Sequence, residues 1–158
     1  MKKYIKAVFA ILSATFLLTG CYKEPDLFED LLVSNGKVPQ ISVLWLGDKK
    51  VFSAAGVLQP GITVDSTTTV MVNVEFTSEI PLKEFKLYSA ATTTGTQTLI
   101  STTPAGTQKY DQELRNYVVK IPVTAPKSKN TTLVIFAEAI GDNSLASTQK
   151  NVTLKTKP

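Results

Sequence analysis

Val70-Met71-Val72-Asn73-Val74-Glu75-Phe76 is the stretch on which the fold turns. Val70, Val72, Val74 and Phe76 fall on one phase of a period of two, and Met71, Asn73 and Glu75 fall on the other. Successive side chains of a strand point to opposite faces, so the pattern predicts a half-buried β-strand. Pro81 then opens a run in which Phe85 and Leu87 oppose Glu84, Lys86 and Tyr88. In the other direction, Ile41, Val43 and Trp45 alternate before the turn at Gly47-Asp48, and Val51-Phe52 begins a short segment that ends near Pro60-Gly61. Threonine and glycine crowd residues 89–110 around the lone apolar pair Leu99-Ile100, which predicts a loop, a short edge strand and a second loop. Tyr117, Val119, Ile121 and Val123 alternate again, and Pro122, which lacks a donor, is expected to end or bulge the ladder. Residues 132–140 are nearly all apolar, and Gly141-Asp142-Asn143 turns the chain toward a last strand with Val152 and Leu154.

No long helical pattern follows residue 37, and valine, isoleucine and threonine dominate the runs, as strands prefer. About seven short antiparallel strands suit an all-β, two-sheet sandwich with Greek-key connections. The order of features resembles the immunoglobulin-like domains of bacterial surface proteins. Residues 70–76 stand as strand B, Phe85-Lys86-Leu87-Tyr88 as strand C, and residues 133–139 with the following turn as strand F. The antibody cysteine pair is absent, and Trp45 precedes strand B, which excludes the antibody branch. A jelly roll or an open barrel is the alternative arrangement.

The first residues have a different character. Lys2, Lys3 and Lys6 precede an apolar run from 7 to 18, too short to span a bilayer and laid out as a secretory signal. It ends in Leu18-Thr19-Gly20-Cys21, which resembles the lipobox of bacterial lipoproteins, in which the cysteine is acylated and becomes the first residue after cleavage. Cys21 is the only cysteine. The reading is therefore a signal peptide over 1–20, a lipidated tether over 21–37 and a sandwich domain over 38–158. Losing three lysines brings the formal charge from +4 to +1. With no basic run after Lys50, nucleic acid is not an expected partner.

The tether carries Lys23, Glu24, Asp26, Glu29 and Asp30, punctuated by Pro25 and Gly36. It resembles the charged export signal of Bacteroidetes surface lipoproteins, here Lys23-Glu24, which implies outer-membrane and cell-surface location, the periplasmic face being the alternative. Leu27, Phe28, Leu31 and Leu32 have the spacing of one or two helical turns.

Chemistry is scarce. Without histidine the chain lacks the commonest general base and metal ligand. Two carboxylate pairs, Asp111 with Glu113 and Glu84 with Glu138, satisfy the residue requirement of a glycosidase. Asp111 and Glu113 lie in a polar loop beside Tyr110 and Arg115, and the second pair is expected on an outer face next to Lys86, so both read as solvated charge. Asp142, Asn143 and Ser144 offer too few oxygens for calcium. No enzyme, cofactor or metal is expected. Asp65-Ser66-Thr67 resembles the short O-glycosylation site of Bacteroidetes exported proteins, which makes Ser66 a candidate.

Recognition is the remaining role. Trp45, Tyr88 and Tyr110 are the candidate aromatic platforms for a sugar ring. On strand F, an outward Glu138 carries Val134 and Phe136 outward with it, next to Tyr88 on strand C. Val134, Phe136, Tyr88 and Trp45 are thus the expected interaction surface, with burial by the tether's Leu27, Phe28, Leu31 and Leu32 as its competitor. The expected function is a non-catalytic lipoprotein that binds a glycan or a partner protein, resembling the accessory lipoproteins of Bacteroidetes glycan-uptake systems. A structural spacer or assembly subunit is the alternative. Cys21→Ala is predicted to leave an uncleaved or soluble precursor that takes up no labelled palmitate, and persistent labelling would refute the lipobox reading.

Overall fold

In the computed structural model, residues 36–114 and 116–158 are described. The signal, the lipobox at Leu18, Thr19 and Gly20, Cys21, the tether's leucines and Arg115 lie outside them. Nine strands form: β1 (Gln40–Leu46), β2 (Gly61–Val64), β3 (Thr69–Thr77), β4 (Leu82–Ala90), β5 (Thr98–Pro104), β6 (Lys109–Asp111), β7 (Asn116–Thr124), β8 (Thr132–Gly141) and β9 (Lys150–Thr156). They make a four-stranded sheet in the order β1-β3-β7-β6 and a five-stranded sheet in the order β2-β9-β8-β4-β5. In immunoglobulin lettering these are A-B-E-D and A′-G-F-C-C′, so β3, β4 and β8 occupy the B, C and F positions the sequence assigns them. The fold is an all-β, immunoglobulin-like sandwich.

The strand count exceeds the expected seven because two short segments pair that show no alternation of their own. β6 has only three residues, and β2 has four. β2 also pairs parallel to β9, the exception in an otherwise antiparallel ladder set. Gly61 permits this approach, since a Cβ there would lie 2.3 Å from the Thr153 carbonyl oxygen.

The core follows the alternation. Val70, Val72, Val74 and Phe76 from β3 meet Phe85 and Leu87 from β4, Val119, Ile121 and Val123 from β7, Ile135, Ala137 and Ala139 from β8, and Val152 and Leu154 from β9. Phe76 packs edge-on against Phe85 at 4.9 Å between ring centroids, joining the sheets. Aromatic pairs in this arrangement gain about 0.5–1.5 kcal/mol beyond their burial.

Two expectations need correction. Pro122 neither ends nor bulges β7: the ladder continues through the Met71–Pro122 pair to Thr69–Thr124. β6 stops opposite Val118, so beyond it β7 is an edge strand with one side free, where a missing donor is tolerated. On β1, a register shift between Ile41 and Val43 splits the expected common face. Ser42 is the extra residue; Ile41, Leu44 and Leu46 turn into the core, while Val43 and Trp45 turn outward. The Lys150 ammonium donates to the Ser42 carbonyl at 2.6 Å, satisfying a backbone acceptor that the bulge takes out of the ladder.

Candidate functional site

The outward turn of Trp45 builds a polar, partly covered surface on the four-stranded sheet. Register places Trp45 beside Asn73, and Asn73 beside Lys120. Glu75 lies one step along the same face, between Val43 and Val118. An outer sheet face is ordinarily wet, yet Trp45 is 5% exposed, Glu75 4% and Asn73 1%. The connection from β1 to β2 accounts for much of this. The Gly47 carbonyl accepts from Asn73 Nδ2 at 2.7 Å, and Lys50 brings its ammonium to Glu75 Oε1 at 2.6 Å. The Trp45 indole N–H donates to the same oxygen at 3.0 Å. A buried carboxylate is tolerated only when paired and hydrogen-bonded, and Glu75 has both kinds of partner.

Beyond Lys50 the chain forms a small hairpin. Ser53 N–H donates to the Val57 carbonyl and Gln59 N–H to the Val51 carbonyl, both at 2.8 Å, and Phe52 bridges Leu58. Gly56, with φ of 74°, supplies the left-handed residue of the turn. The result is an ordered hairpin that nevertheless leaves Val51, Phe52 and Val57 exposed, Phe52 by 55%.

Between this hairpin and the turn after β6 lies a cleft of about 540 Å³, lined by Trp45, Asp48, Lys49, Lys50, Phe52, Asp111, Glu113, Leu114, Val118 and Lys120. Its volume is in the usual range for a small-ligand site. The turn is fixed by Asp111 Oδ1, which accepts the backbone N–H groups of Glu113 at 3.0 Å and Leu114 at 3.1 Å. Among the described residues no group of three histidine, cysteine, aspartate or glutamate side chains is placed to hold a metal.

The four residues expected to form one interaction surface occupy two. Val134 and Phe136 point outward on β8, with Tyr88 and Ala90 opposite them on β4. Trp45 belongs to the other sheet, because β1 pairs with β3 and not with β8. Val134 and Phe136 are also buried, Phe136 at 5% exposure, so they offer no open apolar patch. Beside them Gln97 donates to Gln149, and Gln149 donates to Glu138. Burial pushes the Tyr88 phenol up, and the Glu138 carboxylate nearby adds to the effect. Glu84 bonds Lys86 at 3.2 Å, the solvated pairing expected of this face.

Tyr110 is half-exposed and packs edge-on with Tyr117 at 5.3 Å. The Ser66 Oγ is shielded from solvent and has no hydrogen-bond partner among the described residues, while Thr67 beside it is exposed. Asn143 serves its turn: its Oδ1 accepts the Leu145 N–H, and its Nδ2 donates to the Lys37 carbonyl.

Sequence reasoning passed over Glu75, Lys50 and Phe52. One signal was present, a carboxylate at the middle of the most regular strand, where β propensity disfavours it. Its partners are set by the bulge at Ser42 and by the course of a loop, neither of which has a pattern in the sequence.

No family model matches the chain, and no curated protein does. Among solved structures, it is similar to a Niemann-Pick type C2 protein from Japanese carpenter ant, at 13% identity and a TM-score of 0.48, over 77% of this chain and 94% of that one. It is similar to a family 76 glycoside hydrolase from a bovine Bacteroides thetaiotaomicron strain, at 15% identity and 0.44, over 74% of this chain. The chain spans 20% of that hydrolase's length. A chitin binding domain from Burkholderia pseudomallei aligns at 12% identity and 0.41, over 66% of this chain and 59% of that domain.

Two outcomes follow from the geometry. Lys50→Met strands the Glu75 carboxylate and is expected to cost about 3 kcal/mol, as for other broken buried pairs, measured by urea unfolding. The raised Tyr88 value means that the fold favours the neutral phenol. Its contribution to stability is present below the ordinary tyrosine value of about 10 and is lost as pH rises through the folded-state value. Spectrophotometric titration should show a late-ionising tyrosine that disappears in Tyr88→Phe.

Proposed function

We propose that the protein is a lipid-anchored, non-catalytic binding module of the outer membrane, displayed at the cell surface, which recognises a glycan or a partner protein through the hairpin and cleft beside Trp45. The observation that supports this most is the exposure of Val51, Phe52 and Val57 on a hairpin closed by its own hydrogen bonds and pinned through Lys50 to buried Glu75. Exposed apolar side chains on an ordered loop forgo burial that a ligand restores, and pre-ordering lowers the entropy lost on binding.

The position of the hairpin supports the same reading. The chain arriving from Cys21 enters at Lys37, whose carbonyl is bonded by Asn143 and whose ammonium pairs with Glu79 at 3.1 Å, next to the C-terminal end of β3. The hairpin leaves β1 beyond Leu46, which pairs with Val72 near the start of β3. It therefore springs from the end of the sandwich opposite Lys37.

Added protease should digest the domain on intact cells; digestion only after lysis would assign it to the periplasmic face. The combined variant Val51→Ser, Phe52→Ser, Val57→Ser should keep the parent melting temperature and lose binding to glycan arrays or to cell-surface proteins. If the parent chain binds neither, the spacer reading replaces this one.

A further inference from the structure

The chemistry of the cleft narrows the ligand, given the binding-module reading on which this step rests. We infer that the cleft takes a neutral sugar unit of a glycan, with Phe52 as the stacking surface and the carboxylates of Glu113 and Asp48 as hydroxyl acceptors.

Phe52 is the one aromatic lining residue open to solvent, since Trp45 is buried and its N–H is committed to Glu75. An aromatic ring presents a negative face, which suits the weakly positive C–H face of a pyranose, and the large apolar area is desolvated in the same step. Around it stand polar groups of both signs: Asp48, Asp111 and Glu113 against Lys49, Lys50 and Lys120. Lys50 is engaged at 2.6 Å by Glu75, and Asp111 spends one oxygen on its own turn. Among the described lining residues, Lys49 and Lys120 then face the carboxylates of Asp48, Asp111 and Glu113, so an anionic chain such as a uronate polymer meets repulsion as well as attraction. A polyol meets acceptors and donors without a charge to place.

A buried amide stands between two of the lining residues. Asn73 is 1% exposed on the face that carries Trp45 and Lys120, and both of its neighbours line the cleft. Its Nδ2 bonds the Gly47 and Met71 carbonyls, which fixes the orientation of the amide, while Oδ1 has no hydrogen-bond partner among the described residues.

Trp45 makes the test direct, because it is the chain's only tryptophan and it lines the cleft. The full-length protein in detergent is titrated with cello-, manno- and malto-oligosaccharides and with oligogalacturonate, following indole emission and, in parallel, calorimetry. The expected result is a saturable emission change with at least one neutral series, little with oligogalacturonate, and affinity about tenfold weaker in Phe52→Ala and in Glu113→Gln. Leu99→Ser, on the other sheet, should bind as the parent does, and equal melting temperatures across the set rule out unfolding.

Neutral-glycan binding seen by calorimetry but unchanged in Phe52→Ala and silent at Trp45 would overturn the cleft assignment and leave the binding-module reading standing. Preference for oligogalacturonate would overturn the neutral-ligand inference. A parent chain that ignores every saccharide but binds a cell-surface protein through the hairpin would overturn it too, in favour of a protein partner.

Discussion

The contact between Phe76 and Phe85 is the joint on which the sandwich depends. β3 and β4 are consecutive in the chain but belong to different sheets, so the connection at 78–81 must carry the chain from one layer to the other. The two rings meet immediately on either side of that crossing. The single cysteine rules out a disulfide within the chain, so the layers are held chiefly by burial, with the Lys150–Ser42 hydrogen bond as a link between them. That places most of the cohesive load on a core of valine, isoleucine, leucine, alanine and two phenylalanines.

Once the layers are joined, the outer faces are free to differ, and they do. On the five-stranded sheet the outer face mixes apolar Val134, Phe136 and Tyr88 with Glu138, Lys86 and Glu84, tied by local pairs. On the four-stranded sheet a single extra residue, Ser42, reverses the phase of β1 and puts the tryptophan outside. Tryptophan on an outer face needs cover and a partner for its N–H, and the β1–β2 connection and Glu75 supply them. The loop is thereby held to the sheet by a buried ion pair, and the hairpin beyond it gains a fixed base.

That arrangement relates stability to recognition. A buried ion pair is weak evidence of stability, because desolvation offsets much of its attraction, but it is exacting about position. Glu75 has one geometry that satisfies both the indole and Lys50, and the loop must adopt the course that brings Lys50 there. Lys50 is held by this pair, and the exposed Val51, Phe52 and Val57 follow it in the chain.

The class of the fold and the identity of its core strands were legible in the residues alone, because alternation of apolar and polar residues is a local consequence of the two-residue repeat. β3, β4 and β8 were legible in this way, as were the outward phase of Val134, Phe136 and Glu138 and the solvated pairing of Glu84 with Lys86. The composition likewise showed the absence of histidine and the lone cysteine. The tertiary structure alone decided which outward face each residue joined, and so separated Trp45 from Phe136. It decided the continuation of β7 through Pro122, which depends on where β6 ends. It also decided the pairing of Glu75 with Lys50 and the cleft beside them. These features depend on a one-residue bulge and on loop paths, and they bring together residues such as Trp45, Glu75 and Lys120 that stand far apart in the chain. No periodic pattern records such contacts, since each is fixed only when distant strands have already paired.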